Sequence, residues 1–241
     1  MERHVRVAAV IPAAGIGQRM NLTQPKQYLR IANTTVLEHS VAAIAQDHRI
    51  EAIYIAVAPN DPFIQQLQFS PSERDRIQLV EGGNTRAASV YAGVTAAHTA
   101  GYQWVAVHDA ARPCLHVDEL ARVLDAGTTH ADGALLALPI TDTIKRAEPT
   151  APEYSCGTVP RDHLWRALTP QVFRTEQLLE AIHEFGVFHP ELTDEASAIE
   201  RLGGRPKLVP GCVTNIKITH PGDEALAAVF LAMIKKEQAC V

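Results

Sequence analysis

The sequence predicts a three-layer α/β fold on a mostly parallel, Rossmann-like sheet, with one extended arm projecting from it. Three observations carry this expectation. Short apolar runs alternate with segments of helical periodicity, the pattern of a sheet covered by helices on both faces. Several of those runs end in glycine-rich or charged turns, where ligands sit in open parallel sheets. Between about residues 139 and 162 the alternation stops, and Pro139, Pro149, Pro152 and Pro160 with nearby threonines suit an extended hairpin better than a helix.

The elements follow in order. Residues 7–11, Val-Ala-Ala-Val-Ile, form a short run ended by Pro12 and read as a buried parallel strand. Residues 35–44 have helical spacing with Thr34 or Thr35 as cap. A second strand covers 52–58, a short helix 61–69 and a weaker third strand 77–80. Gly82-Gly83-Asn84 makes a turn, and Asn84 is suited to cap the helix that runs to His98. A fourth strand at 104–107 ends on His-Asp-Ala-Ala-Arg-Pro; a helix at 117–130 and a fifth strand at 133–138 precede the arm. Helices at 176–185 and 194–202, strands at 207–209 and 215–218, and a last helix complete the chain. That helix begins at Pro221 and has Asp223 and Glu224 first and Lys235 and Lys236 last, a charge order that favours the helix dipole. A single domain over 1–241 is expected, with the arm inserted into it.

Composition narrows the function. The chain has 241 residues, 46% apolar and 20% charged, enough for one large core. Net charge is −5 with no basic cluster, so wholesale nucleic-acid binding is not expected. No stretch approaches the ~20 apolar residues of a membrane span. Cys114, Cys156, Cys212 and Cys240 are widely separated, which points to reduced thiols in a cytoplasm rather than a disulfide or zinc framework.

The loop after the first strand, Pro12-Ala13-Ala14-Gly15-Ile16-Gly17-Gln18-Arg19-Met20, exposes backbone amides behind small side chains, and Pro25-Lys26 follows it. Gly15 and Gly17 permit close approach of an anion; Arg19 and Lys26 add two cations. This describes a triphosphate site. It is not a dinucleotide fingerprint, because Met20 stands where a third glycine would be and no acid follows at the right distance. Nor does a Gly-Lys-Ser/Thr close the loop.

Asp109, directly after an apolar strand, can hold Mg²⁺ shared with phosphates or cap the following turn. His108 reads as structural, because a phosphate monoester with its second pKa near 6 is a nucleophile at neutral pH without a base. No Ser-His-Asp, Cys-His or paired-carboxylate arrangement is evident. Positioning and charge stabilisation would carry such a reaction.

The glycine loop, Gly-Gly-Asn-Thr-Arg-Ala-Ala-Ser at 82–89, Val-His-Asp-Ala-Ala-Arg-Pro at 107–113, Thr-Asp-Thr-Ile-Lys, Leu-Thr-Pro-Gln-Val-Phe, Thr-Asp-Glu-Ala-Ser and Asn-Ile-Lys-Ile-Thr occur in this order. Together they resemble the 2-C-methyl-D-erythritol 4-phosphate cytidylyltransferase family of the non-mevalonate isoprenoid pathway, over nearly the whole chain. The resemblance implies a nucleotidyltransferase fold, CTP and a sugar-alcohol phosphate as substrates, Mg²⁺ as cofactor and a homodimer interlocked through the arm. It implies that Pro12, Ala13, Ala14, Gly15, Gly17, Arg19 and Lys26 cradle the triphosphate, with Arg19, Lys26 and Lys217 as catalytic cations. Gly83, Asn84, Arg86 and Ser89 would surround cytosine and ribose, and Asp109 would hold the metal. Arg112, Thr143, Arg161, Thr169 and Thr193 would form the acceptor side, with Arg161 reaching the other subunit's site. Asn84 departs from the family, which often has Asp there; a backbone contact would be unaffected, whereas a carboxylate contact would alter affinity or base choice. Two other readings compete: a cytidylyltransferase for a pentitol phosphate such as ribitol 5-phosphate, and a nucleotide-binding module without turnover. Arg19, Lys26, Asp109 and Lys217 together favour turnover, since binding alone would not need all four.

Overall fold

The computed structural model describes residues 5–15 and 24–239. Its central sheet has seven strands in the order β11-β7-β10-β6-β1-β4-β5. These are β1 (Val7–Pro12), β4 (Ile50–Val57), β5 (Ile77–Glu81), β6 (Trp104–Val107), β7 (Ala134–Pro139), β10 (Trp165–Arg174) and β11 (Lys207–Pro210). All neighbouring pairs are parallel except those made by β10, which runs antiparallel to both β6 and β7. A small hairpin of β2 (Arg30–Ile31) and β3 (Thr34–Thr35) lies to one side.

β1 shows how sequence becomes layers. Side chains alternate across a strand, so Val7, Ala9 and Ile11 enter one core while Ala8 and Val10 enter the other. On the first face pack α1 (Val36–Ile44) and α4 (Val117–Thr129) through Leu37, Val41, Leu120 and Leu124. On the second pack α3 (Arg86–Thr99), α5 (Thr175–Phe185) and α6 (Glu195–Arg201) through Val90, Val94, Leu178 and Ile199. α7 (Asp223–Ala239) closes a third cluster with Ile31, Val36, Cys114 and Ile218. A Cβ on Gly93 would lie 2.5 Å from Val10 Cγ1, so that glycine lets α3 press directly onto β1.

The arm is an antiparallel hairpin of β8 (Ile144–Glu148) and β9 (Ala151–Val159) that, among the described residues, pairs only with itself. Most of its side chains are exposed, Tyr154 among them at 67%.

Several expectations are corrected. Thr85, not Asn84, caps α3: its hydroxyl oxygen accepts from the Ala88 amide and the Oγ1 proton goes to the Val187 carbonyl. The helix expected at 194–202 is α6, and Asp194 caps it. The expected helix at 61–69 reduces to a 3₁₀ turn, Ile64–Gln66, followed by the short α2 (Pro71–Arg74). Residues 215–218 are not a strand; the Ile218 amide donates to the Ala111 carbonyl instead. β10 was not anticipated. Thr35 does cap α1, through a capping box with Glu38.

Candidate active site

At the carboxyl ends of β1, β5 and β6 lies a cleft of about 690 Å³, a size ordinary for a small-molecule site. It gathers Pro12, Ala13, Ala14, Gly15, Lys26, Gly83, Asn84, Arg86, Ser89, Asp109 and Lys217, eleven residues singled out in the sequence. Gly17 and Arg19 fall outside the described residues.

The glycine loop is held from below. The Ala13 amide donates to the Ala56 carbonyl at 2.7 Å, so it belongs to the sheet and not to a ligand. Gln27 Nε2 donates to the Ala13 and Gly15 carbonyls at 2.6 and 3.0 Å, tying the loop to the 3₁₀ turn Lys26–Tyr28. That turn is fixed in its own right, because the Tyr28 hydroxyl donates to Asp61 and its ring meets Phe63. Lys26 Nζ donates to the Ile218 carbonyl at 2.8 Å, placing an ammonium beside the segment that carries Lys217.

The loop after β5 closes the second wall. Ser89, 2% exposed, uses its hydroxyl on the loop itself: its oxygen accepts from the Gly83 amide and lies within bonding distance of the Gly83 and Thr85 carbonyls. A Cβ on Gly82 would sit 2.7 Å from Ala14 Cβ and 3.0 Å from Ser89 Oγ, and one on Gly83 would sit 2.4 Å from Ala88 Cβ. The two glycines therefore let this loop lie directly against the glycine loop and the start of α3.

The floor is a charge cluster centred on Asp109. Its Oδ2 accepts from Lys217 Nζ at 2.8 Å and from Arg112 Nε at 3.4 Å; its Oδ1 accepts from Arg86 Nε at 3.0 Å. Burial alone would raise this carboxyl, but Arg86, Lys217 and Arg112 hold it well below the usual range. Arg86 also grips Glu195 with both terminal nitrogens, at 2.6 and 3.2 Å. Burial pushes the Glu195 carboxyl upward while Arg86 opposes it, and the two-point geometry is that of an ionised pair.

Beneath the floor runs a chain of neutral hydrogen bonds. Arg112 O can only accept, so His108 Nε2 carries the proton and donates to it at 3.0 Å. His108 Nδ1 then accepts from the Thr169 hydroxyl, whose oxygen accepts from the Asp109 amide, each at 3.0 Å. Burial lowers the His108 pKa to about 4. His108 is a neutral strut.

The acceptor-side candidates divide. Arg112 and Thr169 are buried under Asp109, with Arg112 Nη1 donating to Asn215 O at 2.7 Å and Asn215 Nδ2 to Thr169 O at 3.0 Å. Thr143 and Arg161 lie exposed at the base of the arm, where Arg161 donates to the Thr141 carbonyl, and Thr193 is exposed before α6. None of these three lines the cleft. Gln27, Glu195 and Asn215 escaped the sequence reading. Gln27 stands beside Lys26 within Pro-Lys-Gln-Tyr, and Glu195 follows a helix cap, where an acid is expected for the dipole alone.

Asp109 is the one carboxylate lining the cleft among the described residues, and no group of three or more metal-ligating side chains occurs among them. A single carboxylate fits a Mg²⁺ ion that takes its other ligands from water and substrate phosphates.

A family model described as IspD: 2-C-methyl-D-erythritol 4-phosphate cytidylyltransferase matches residues 7–233. A protein of that name from Escherichia coli O1:K1 / APEC is 49% identical over 228 residues, covering 95% of this chain and 94% of the relative. A crystal structure of 4-diphosphocytidyl-2C-methyl-D-erythritol synthase superposes with a TM-score of 0.80 at 35% identity, covering 94% of this chain and 99% of that one. The Francisella tularensis 2-C-methyl-D-erythritol 4-phosphate cytidylyltransferase superposes with a TM-score of 0.78 at 30% identity, covering 93% and 99%. The chain belongs to the IspD family of 2-C-methyl-D-erythritol 4-phosphate cytidylyltransferases.

Proposed function

We propose that this chain transfers the cytidylyl group of CTP to 2-C-methyl-D-erythritol 4-phosphate, releasing pyrophosphate and 4-(cytidine 5'-diphospho)-2-C-methyl-D-erythritol. The observation that carries the reading is the cleft itself: a small-residue loop, Lys26, Lys217 and one carboxylate, Asp109, line it together, and among the described residues no Cys or His does. Such a site suits an acceptor that already bears its nucleophile. The acceptor phosphate oxygen attacks the α-phosphorus in line, the bond to the bridging oxygen breaks, and pyrophosphate leaves with its electron pair.

The residues take the following parts. Ala14, Gly15, Lys26 and Arg19 receive the triphosphate, and Lys26 and Arg19 meet the charge that grows on the phosphorus oxygens. Gly83, Asn84 and Ser89 form the wall for cytosine and ribose, where the loop after β5 lies directly against the glycine loop. Asp109 would hold Mg²⁺, which when bound neutralises phosphate charge. Lys217 adds a cation at the same point. Arg112 and Thr169 shape the acceptor side from beneath.

The arm supports a homodimer. An isolated two-stranded hairpin is marginal in water, and among the described residues this one pairs only with itself while exposing Tyr154. Thr143 and Arg161 stand at its base, away from the cleft of their own chain, which suits delivery to the cleft of a second subunit. Reduced cysteines and the absence of any helix able to cross a membrane among the described residues agree with a cytoplasmic enzyme.

The test is pyrophosphate release with CTP and Mg²⁺ across 2-C-methyl-D-erythritol 4-phosphate, ribitol 5-phosphate and related polyol phosphates. Release with the first alone is expected. Preference for ribitol 5-phosphate would reassign the acceptor, and no release with any would leave a binding module.

A further inference from the structure

Glu195 has no part in the roles above, yet it lies buried against the cluster around Asp109. It is 2% exposed. Its two neighbours are pinned by one side chain: Gln171 Nε2 donates to Asp194 Oδ2 and the Ala196 amide donates to Gln171 Oε1, both at 2.9 Å. Gln171 belongs to β10, which lies between β7 and β6, the strand that delivers Asp109. The first turn of α6 is thus fastened to the sheet on either side of Glu195, and its carboxylate meets Arg86 in the first turn of α3 with two short contacts.

Charge explains why such a residue would be kept there. Arg86, Arg112 and Lys217 all touch Asp109. Three cations on one carboxylate leave a surplus of two positive charges, which favours a bare triphosphate and repels a divalent cation. Glu195 cancels one of them and draws the Arg86 guanidinium towards α6.

We infer that Glu195 is a positioning residue that acts through Arg86: it neutralises and orients that guanidinium so that Asp109 keeps affinity for a divalent cation beside the nucleotide. The inference rests on the reading of Asp109 as the metal carboxylate. Because Glu195 closely follows Thr193, the same link ties the acceptor-side segment to the metal carboxylate.

Calorimetric binding of CTP with and without Mg²⁺ tests this. In the native chain Mg²⁺ should strengthen binding. In Glu195→Gln, which keeps the length and one acceptor for Arg86, metal-free CTP should bind more tightly and the gain from Mg²⁺ should shrink roughly 10²-fold, as expected for one charge acting on a divalent ion over roughly 10 Å at an effective dielectric near 20. Arg86→Gln/Glu195→Gln removes both charges and should bring the Mg²⁺ gain back to within about threefold of the native value, because effects of residues acting through one another do not add. A purely structural role would weaken all binding and leave the ratio unchanged. A native-sized gain in Glu195→Gln overturns the inference; if that variant fails to fold, a double variant without the restored gain does so. No Mg²⁺ gain in the native chain would instead refute Asp109 as metal carboxylate.

Discussion

Asp109→Asn is the most informative single change, because it separates stability from chemistry in one residue. The substitution is nearly isosteric and leaves the backbone bond to Thr169 intact. Its three cations fare differently. Arg86 retains Glu195, and Lys217 is 38% exposed and can turn to water. Arg112, with a side chain only 10% exposed, loses its one carboxylate and keeps the Asn215 carbonyl. Removing one partner of a buried ion pair costs about 3–5 kcal/mol; with two of three cations compensated, the low end applies, about 3 kcal/mol. For 241 residues the unfolding entropy is roughly 0.5 kcal/mol/K, so Tm should fall by about 6 °C at fixed protein concentration. Added salt should not restore it, since the cluster is screened little. Activity should fall further than stability accounts for, by at least roughly 10²-fold at a temperature where both proteins are folded. Differential scanning calorimetry and pyrophosphate release read the two effects. A Tm within measurement error of the native value would refute the picture of Asp109 as the anion that neutralises a buried cation cluster.

Three other outcomes are expected. Gly82→Ala places a methyl group 2.7 Å from Ala14 Cβ; it should cost about 1–3 kcal/mol in equilibrium unfolding and raise the KM for CTP, because the displaced wall belongs to the nucleotide cleft. His108, neutral when folded with a pKa lowered from 6.5 to about 4, binds fewer protons folded than unfolded between those values. Its contribution is therefore full above pH 6.5 and is lost as pH falls towards 4, about 2 kcal/mol by pH 5. Proton uptake on unfolding at pH 5 should accordingly drop by about one in His108→Gln, and no change would place the imidazole in a solvated environment. Lys26→Ala should lower kcat by roughly 10²–10³, and mixed with inactive Arg161→Ala it should regain activity through hybrid dimers with one repaired site. No recovery under demonstrated subunit exchange would count against an arm reaching across.

The layered architecture was legible because β1, β4, β6 and β7 are short, strongly apolar runs bounded by Pro, Gly or charge, and helices such as α4 carry a clear apolar face. β10 was not, because Trp165–Arg174 mixes Arg166, Thr169, Pro170 and Gln171 into a central strand, and its register with β7 shifts between Ala167 and Gln171. A period-2 pattern cannot survive that interruption. Residues 215–218 misled for the opposite reason: alternating Ile216 and Ile218 resemble a strand, but Ile218 turns into the α7 cluster and its backbone serves Ala111 and Lys26. In the site, residues close to a recognisable loop were readable, as with Gly15, Lys26 and Asp109. Glu195 and Asn215 were not, because their roles depend on β10 and on side chains over 40 positions away. Placing Thr85 rather than Asn84 at the start of α3 required the geometry of a single turn.

The central claim is that positioned cations and a substrate nucleophile perform the transfer without a covalent intermediate on the protein. The stereochemical course at the α-phosphorus tests it most directly, using CTP with sulfur in place of one non-bridging α-oxygen and 2-C-methyl-D-erythritol 4-phosphate as acceptor. One in-line displacement predicts inversion of configuration in the product. Retention would mean two displacements through a nucleotidylated side chain and would contradict direct transfer.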